Sequence, residues 1–151
     1  MASILIVDDD PIVAQIASDL LCDAGHICGH VPSAAEAMRV LSFRRPDCIL
    51  LDQHMPDTSG GQFLRQLRQS PEFYDLPVIM FTGMTGQADE EQARYNGAQE
   101  YIRKPFKPDQ LLSTVTRLLV KYAARPQHRS LREVMAERVD ADRTERRALR
   151  M

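Results

Sequence analysis

Residues 46–60 read PDCILLDQHMPDTSG, an apolar run that ends at a carboxylate and a turn. The run Cys48–Leu51 has the length of a strand and no polar alternation, which is typical of a strand buried on both faces of a sheet. Asp52 follows at once, and Pro56 lies in the turn beyond it. Because burying a charge is costly, we expect Asp52 to lie at the exposed carboxyl end of this strand.

Four further runs predict strands before and after this stretch. They are Ser3–Val7, His26–Val31, Leu76–Phe81 and Glu100–Arg103, the last polar enough for an edge strand. Apolar residues at helical spacing follow the strands. In the first helix they are Ile12, Ile16 and Leu20 with the adjacent Val13 and Leu21, and in the second Ala34, Ala37, Met38 and Leu41. Five strands that alternate with five helices predict an α/β fold, a doubly wound parallel sheet with helices on both faces.

Length and composition indicate one globular domain. The chain has 151 residues, of which 44% are hydrophobic and 26% charged, and its net charge is −2. This net charge argues against nucleic-acid binding, and the short apolar runs and the lack of a signal peptide indicate a cytoplasmic protein that does not enter a membrane. The three cysteines, Cys22, Cys28 and Cys48, match no metal or disulfide motif and are expected to be buried apolar side chains.

The charge changes sign near residue 122. Residues 1–121 carry eleven Lys or Arg and sixteen acids, whereas residues 122–151 carry eight Arg and five acids. We therefore expect a domain at 1–121 and a charged helical tail or linker at 122–151, with a helix over 129–150. The tail is either a solvated helix or a signalling helix that dimerises or leads into an output domain. It is too short for a helix-turn-helix, so we expect no direct nucleic-acid binding by this chain.

Five polar side chains follow the predicted strands at their carboxyl ends. Asp8 and Asp9 follow the first strand, Asp52 the third, Thr82 the fourth and Lys104 the fifth. In a parallel sheet these ends share one edge, which is where open α/β sheets bind their ligands. We therefore expect the five side chains to meet in one crevice.

Three carboxylates in one crevice repel each other, by roughly 4 kcal/mol for a pair about 4 Å apart at an effective dielectric constant of about 20. A bound cation or a raised pKa relieves that repulsion. Oxygen ligands without His or Cys suit a hard ion, and so few carboxylates favour Mg²⁺ over Ca²⁺. Thr82 and Lys104 then remain to bind an anion, so the set predicts a phosphoryl-transfer site with Asp52 as nucleophile.

Residues near this edge also have simpler structural explanations. Asp10 before Pro11 is expected to cap the first helix, and Asp57 to be a turn residue. His54 has no partners at ligand spacing, and we interpret its side chain as exposed on a loop. The conjunction of residues, and not any one of them, supports the phosphoryl-transfer interpretation.

Four motifs match a known family in order and spacing. ILIVDDDP at 4–11, LLD at 50–52 with Met55, Pro56 and Gly60, FTG at 81–83 and YIRKPF at 101–106 together resemble the receiver domain of two-component response regulators. The resemblance covers about residues 2–121. It implies a flavodoxin-like sheet of order 2-1-3-4-5, with the site between strands one and three.

The resemblance also implies a role for each site residue. Asp52 would accept a phosphoryl group from a sensor histidine kinase or a histidine phosphotransfer protein. Asp8, Asp9, Asp52 and the backbone carbonyl of His54 would bind Mg²⁺. Lys104, which precedes an expected cis proline bond, would contact the phosphoryl oxygens. The chain would not be an enzyme beyond its own phosphorylation and dephosphorylation.

The resemblance implies a conformational switch as well. Thr82 would hydrogen-bond the aspartyl phosphate, and Tyr101 would move from an exposed to a buried position. That movement would reshape the face made by helix four, strand five and helix five, which family members use for partners or homodimers. Gly83 stands where alanine is common, which should loosen the loop after Thr82.

Two other functions remain open at this point. A Mg²⁺-dependent phosphatase with an aspartyl nucleophile would use the same ion, but such enzymes usually carry a second acid where this chain has His54. They also carry a cap domain, which this chain lacks. The second alternative is a protein-interaction module that is not phosphorylated. Such a module would not need the three acids Asp8, Asp9 and Asp52, so their presence argues against it.

Two residues beside the predicted site are expected to set the lifetime of the phosphoryl group. His54 follows Asp52 by two positions, and Met84 follows Thr82 by two. We expect His54→Ala and Met84→Ala each to change the rate of dephosphorylation, because these side chains affect the access of water to the phosphoryl group. The decay of the phosphorylated protein measures the rate, and unchanged rates in both variants would disprove the idea.

Overall fold

The computed structural model describes residues 2–83 and 87–123, where five strands and five helices alternate along the chain. The strands are β1 (Ser3–Val7), β2 (Ile27–Val31), β3 (Cys48–Leu51), β4 (Val78–Thr82) and β5 (Glu100–Arg103). The helices are α1 (Pro11–Asp23), α2 (Ala34–Leu41), α3 (Gly60–Gln69), α4 (Gln87–Tyr95) and α5 (Pro108–Ala123). The helix predicted over 129–150 lies outside the described residues, so the tail and the domain boundary stay predictions.

The five strands form one sheet in the order β2-β1-β3-β4-β5, and all four pairings are parallel. This confirms the predicted fold and strand order. Every residue of β3 and β4 is buried, because helices cover both faces of the sheet at these central strands. The edge strands β2 and β5 each contain exposed residues.

Alternate residues of the strands serve two apolar cores on opposite faces of the sheet. Leu5 and Val7 of β1 face the layer of α2, α3 and α4, whose largest buried side chain is Phe63. Ile4 and Ile6 face the layer of α1 and α5. The sheet is therefore held between two helical layers, and its carboxyl edge is left for the loops that carry the site.

The buried face of α1 differs from the predicted one. Ala14, Ala17 and Leu21 are buried, whereas Ile12 is 71% exposed and Ile16 is 50% exposed. Of the predicted apolar residues, Leu21 is buried and Val13 and Leu20 are half-buried against the core. The prediction therefore fails for the two isoleucines and holds for the other three. The alanines recur at helical spacing just as the isoleucines do, and their small side chains let the helix lie close to the sheet.

Two further side chains that were predicted to be buried are exposed. Met38 of α2 is exposed, although the other members of its predicted apolar face are buried. Cys22 is exposed in the last turn of α1, whereas Cys28 is half-buried and Cys48 is fully buried. The expectation of a buried thiol therefore holds for Cys48 and fails for Cys22.

Local signals begin and end the helices where the sequence predicts. The carboxylate of Asp10 accepts the backbone N–H groups of Ile12 and Val13 at 3.0 and 3.3 Å, which confirms it as the cap of α1. Gly25 and Gly97 follow α1 and α4 with φ angles of 96° and 107°, in the left-handed region that favours glycine.

The start of α3 crosses the end of β3 at very short range. The backbone N–H of Gly60 donates to the carbonyl of Gln53 at 2.8 Å. A Cβ atom at residue 60 would lie 2.2 Å from the carbonyl oxygen of Asp52, far inside van der Waals contact. Glycine at this position therefore allows α3 to begin beside the carboxyl end of β3.

Gly60→Ala is expected to lower the free energy of unfolding by about 2–3 kcal/mol, because the added methyl group meets backbone atoms that cannot swing aside. Urea unfolding followed by circular dichroism measures the change. Gly83→Ala is the matched control, since a Cβ atom there meets nothing within 4 Å. We expect the control to change stability by less than about 1 kcal/mol. An equal loss in both variants would contradict the steric explanation.

Candidate functional site

The predicted site residues lie together at the carboxyl edge of the sheet. The backbone N–H groups of Asp8, Asp52 and Lys104 donate to carbonyls of neighbouring strands at 2.9–3.1 Å, one position beyond the end of each strand. Thr82 is the last residue of β4 and is buried. The peptide bond between Lys104 and Pro105 is cis, as expected. The backbone thus holds each side chain close to the sheet.

Three carboxylates form one cluster. Oxygen atoms of Asp8, Asp9 and Asp52 all lie within 4.8 Å of one another. Asp8 is fully buried and Asp52 is 5% exposed, whereas Asp9 is exposed. The expectation of an exposed Asp52 was therefore wrong: the residue has the predicted place at the end of β3, but it is covered. A cation and a backbone N–H lie against its carboxylate and offset part of the cost of burying it.

Lys104 supplies that cation. Its ammonium nitrogen lies 2.5 Å from Asp8 Oδ2 and 3.7 Å from Asp52 Oδ1. The same atom stands 4.8 Å from the centre of the Phe81 ring, on which Phe106 packs with 5.1 Å between ring centres. One ammonium cannot balance three ionised carboxylates, so the crevice keeps a net negative charge.

The pKa of Asp52 reflects this imbalance. Burial raises the pKa above the ordinary value of 3.8, and the ammonium of Lys104 opposes the rise. The carboxylate of Asp8 raises the pKa further, while the backbone N–H of His54 donates to Asp52 and lowers it. The net shift is upward, because one cation and one N–H do not offset burial beside a second acid.

Asp8 is held from two further directions. The backbone N–H of Asp10 donates to Asp8 Oδ1 at 2.9 Å, and the ring nitrogen Nε2 of His30 donates to the backbone carbonyl of Asp8 at 2.8 Å. His30 was not among the predicted site residues. Its position near the carboxyl end of β2, opposite Ile6, is the signal that would have indicated it.

The loop between Asp52 and Gly60 is fastened at several points. The side-chain carbonyl of Gln53 accepts the backbone N–H of Gly61 at 2.7 Å, and His54 is exposed as predicted. Asp57 lies in this loop, and its two carboxylate oxygens accept the backbone N–H groups at the start of α2, from residues 34 and 35, at 3.2 and 2.9 Å. Asp57 therefore caps α2 from another loop, beyond its predicted role in the turn. These hydrogen bonds lower the pKa of Asp57.

A cavity of about 140 Å³ lies beside the cluster, between α3, α4 and the ends of β4 and β5. It is lined by Gln53, Gly61, Leu64, Met80, Thr82, Gln92, Ala93, Asn96 and Tyr101. Thr82 and Tyr101, the two predicted switch residues, therefore share one cavity. Tyr101 is half-buried and packs against the apolar core, and Met84 lies outside the described residues.

Comparison with known proteins identifies the family. The model of the response regulator receiver domain matches residues 4–116. The chain belongs to the response regulator receiver family. This receiver is 35% identical over 117 residues to the phosphate regulon transcriptional regulatory protein PhoB of Pseudomonas aeruginosa, an alignment that covers 78% of the receiver and 51% of PhoB.

Other relatives differ in length. Response regulator Rre1 of Synechocystis is 37% identical over 125 residues, which cover 81% of this receiver and 53% of Rre1. The polar-differentiation response regulator DivK of Brucella anthropi is 30% identical over 113 residues, which cover 75% of this receiver and 92% of DivK. The receiver thus spans about half the length of PhoB and Rre1 and nearly all of DivK.

Solved structures agree with the assignment. The signal receiver domain of a signal transduction histidine kinase from Syntrophus aciditrophicus is 34% identical with a TM-score of 0.76, covering 85% of this receiver and 97% of that chain. The chemotaxis response regulator CheY4 of Vibrio cholerae is 31% identical with a TM-score of 0.74, covering 78% and 98%. The chain is a receiver domain of two-component signalling.

The acidic cluster of the receiver fits a hard divalent cation. Three carboxylates offer oxygen ligands within 4.8 Å of one another, and Asp9 keeps the cluster open to solvent. Oxygen ligands of this number, with room for water, suit Mg²⁺. Within the described ranges, no helix combines the length and the apolar character that crossing a membrane requires.

The stability of the receiver is expected to depend on pH in opposite ways through two aspartates. The pKa of Asp52 is raised above 3.8 in the native state. Between pH 3.8 and that raised pKa, the native state keeps a proton that the unfolded state has lost. The free energy of unfolding therefore falls as pH rises through this range. We therefore expect Asp52→Asn to be more stable than the unchanged chain at neutral pH. This difference should vanish in acid, as measured by urea unfolding across pH.

Asp57→Asn is the matched control with the opposite sign. Because the pKa of Asp57 is lowered, its ionised form contributes stability above 3.8 that is lost as pH falls through the lowered pKa. This variant should be less stable than the unchanged chain at neutral pH and equal to it in acid. Equal pH profiles for both variants would contradict the proposed charge balance.

Proposed function

We propose that Asp52 accepts a phosphoryl group from the phosphohistidine of a histidine kinase or a histidine phosphotransfer protein. The observation that carries this proposal is the position of its carboxylate, within 4.8 Å of two other acids and 3.7 Å from the Lys104 ammonium. A carboxylate oxygen of Asp52 forms the new bond to phosphorus. The bond between phosphorus and the donor imidazole nitrogen breaks, and that nitrogen keeps the electron pair.

Mg²⁺ is the cofactor that this cluster suits. Asp8, Asp9 and Asp52 would hold the ion together with the backbone carbonyl of His54. When bound, the ion supplies positive charge that offsets the carboxylates and the phosphoryl oxygens. Asp9 is the exposed member of the cluster and gives solvent and ion a path to the two buried acids.

Lys104 would change partner when the phosphoryl group arrives. Its ammonium is now shared between Asp8 and Asp52, at 2.5 and 3.7 Å. A phosphoryl group adds about −1.5 to −2 charges and three acceptor oxygens. The ammonium would then bind those oxygens, and the ring of Phe81 beneath it limits how far it moves.

The switch would run through the cavity beside the site. Thr82 would donate its hydroxyl to the aspartyl phosphate, and Tyr101, which lines the same cavity, would turn further into it. The outer face of α4, β5 and α5 would change shape in consequence. α4 carries the exposed side chain of Tyr95 and α5 that of Val120, and such apolar groups suit a partner protein or a homodimer.

The output of the whole protein is a separate proposal. The DNA-binding dual master transcriptional regulator RpaA of Synechocystis is 30% identical over 135 residues, which cover 56% of RpaA, and DivK is nearly spanned by the receiver. Both a joined output domain and a free-standing receiver are therefore compatible with the relatives. In either case we propose a cytoplasmic signalling domain with no catalytic activity beyond its own phosphorylation and dephosphorylation.

A small phosphodonor tests the proposed function. With acetyl phosphate and Mg²⁺, we expect the protein to acquire one phosphoryl group that is stable in acid and labile in base, and Asp52→Asn to acquire none. Intact mass and peptide mapping measure the result. A Mg²⁺-dependent phosphatase would instead turn over many equivalents of donor, so continuous release of inorganic phosphate without a phosphorylated chain would contradict the proposal.

Two neighbouring acids provide a matched pair for the role of the ion. Asp9→Asn is expected to abolish most phosphorylation and to weaken stabilisation by Mg²⁺, which for the unchanged chain should reach about 2.7 kcal/mol at 100 times the dissociation constant. Asp10→Asn keeps the cap of α1, since asparagine caps helices as well as aspartate does. It should therefore behave like the unchanged chain. Equal losses in both variants would remove the argument for a metal site at Asp9.

A further inference from the structure

Arg68, in the last turn of α3, clasps the segment that follows α4. Its Nε and Nη2 donate to the backbone carbonyl of Gly97 at 3.0 and 2.9 Å. Nη1 donates to the carbonyl of Phe73 at 3.2 Å, and Nη2 also donates to the side-chain carbonyl of Gln99 at 3.0 Å. One guanidinium thus joins the end of α3 to the connection between α4 and β5.

The partners of this guanidinium are neutral carbonyl oxygens. Arg68 is partly buried, and burial lowers the pKa of its guanidinium. Breaking these hydrogen bonds while the guanidinium stays partly buried would be costly, because the charge would then have neither water nor carbonyl oxygens around it. We therefore expect these hydrogen bonds to contribute more to stability than an exposed ion pair, which contributes little.

Gly97 has a backbone conformation and a lack of side chain that allow the guanidinium to approach closely. Its φ angle is 107°, and a Cβ atom there would lie 2.8 Å from Nε of Arg68. The residue therefore combines a left-handed backbone with a close approach that a side chain would block. Both the conformation and the contact require glycine at this position.

Gln99 links Arg68 to the sheet by hydrogen bonds. Its side-chain carbonyl accepts Nη2 of Arg68 and also the backbone N–H of Val78 at 2.7 Å. The backbone N–H of Gln99 donates to the carbonyl of Val78 at 3.0 Å. The segment after α4 is thus tied to α3 and to the start of β4, at the edge of the sheet opposite the acidic cluster.

The middle of α4 lies against the cavity beside the site. Among its described side chains, at residues 91–95, Ala93 is the one that is buried. The lining of this cavity includes Gln92 and Asn96 together with Thr82 and Tyr101. One end of α4 is therefore clasped, while the body of the helix covers a cavity that reaches the site.

We propose that Arg68 is the pivot of α4, holding its Gly97 end in place so that a change at Asp52 and Thr82 turns the helix about that end. The inference rests on the proposed function, because phosphorylation supplies the change. Without the clasp, the same change shifts the whole helix and the start of β5 together. Arg68 acts through Gly97 and Gln99, so it is a positioning residue and not a catalytic one.

Backbone NMR of the full chain with beryllofluoride and Mg²⁺ tests the pivot. In the unchanged chain we expect large changes of amide shift in the first turn of α4 and small ones at Gly97 and Gln99. In Arg68→Gln the changes at Gly97 and Gln99 should become as large as those in the first turn. Without beryllofluoride, hydrogen exchange at these two amides should be faster in the variant by about tenfold or more.

Arg65→Gln is the matched control, since Arg65 is an exposed arginine on the same helix. It should keep the gradient of shift changes and the slow exchange. If Arg68→Gln does not fold, two other variants test the same contact. Arg68→Lys keeps the positive charge but loses the planar guanidinium, and Gly97→Ala disturbs the residue whose carbonyl accepts the hydrogen bonds. Both should show the same loss of gradient.

Two results would overturn the pivot. One is a variant of Arg68 or Gly97 that is folded and keeps the gradient and the exchange rates of the unchanged chain. The other is an unchanged chain in which Gly97 and Gln99 shift as much as the first turn of α4. Failure of the proposed function has a different signature, namely no shift at Asp52 and Gln53 on addition of beryllofluoride, and that result would overturn both proposals.

Discussion

The contact between Lys104 and Asp8 is the interaction on which the site depends. Lys104 follows β5 and Asp8 follows β1, so the ion pair reaches across the ends of β4 and β3 at one edge of the sheet. The pair is buried on the Asp8 side, and removal of the cation would leave an uncompensated charge in the crevice. A ligand that draws Lys104 away must therefore bring positive charge for Asp8, and this requirement couples anion binding to cation binding.

The scaffold around this pair differs between its two sides. The loop after Asp52 is closed by Gly60 and capped onto α2 by Asp57, so the acids keep their geometry. On the other side, α4 lies over a cavity and is fastened at its far end. A rigid site beside an adaptable helix is the arrangement that lets a local change of charge become a change of surface shape.

The parallel sheet, the acidic cluster and Lys104 were predictable from the residues themselves, because strands buried on both faces read as apolar runs and their carboxyl ends share an edge. The strand order was implied only by the resemblance to receiver domains. The burial of Asp52 was not predictable, since it depends on side chains from other strands. Neither was the exposure of Ile12 and Ile16, because a helix with two apolar stripes at the same period does not reveal which one faces the sheet. Arg68 was missed for a related reason: most of its hydrogen bonds go to backbone carbonyls, which the sequence does not reveal.

The three thiols of the chain differ sharply in reactivity. Burial raises the pKa of Cys28 and of Cys48 to about 12, so neither forms a thiolate readily, whereas Cys22 is exposed on α1. Cys22 stands near the end of that helix, roughly 16 Å along it from Pro11 beside the acids. A maleimide dye or spin label would therefore attach preferentially at this native position, remote from the crevice, and report on the protein without any cysteine being replaced.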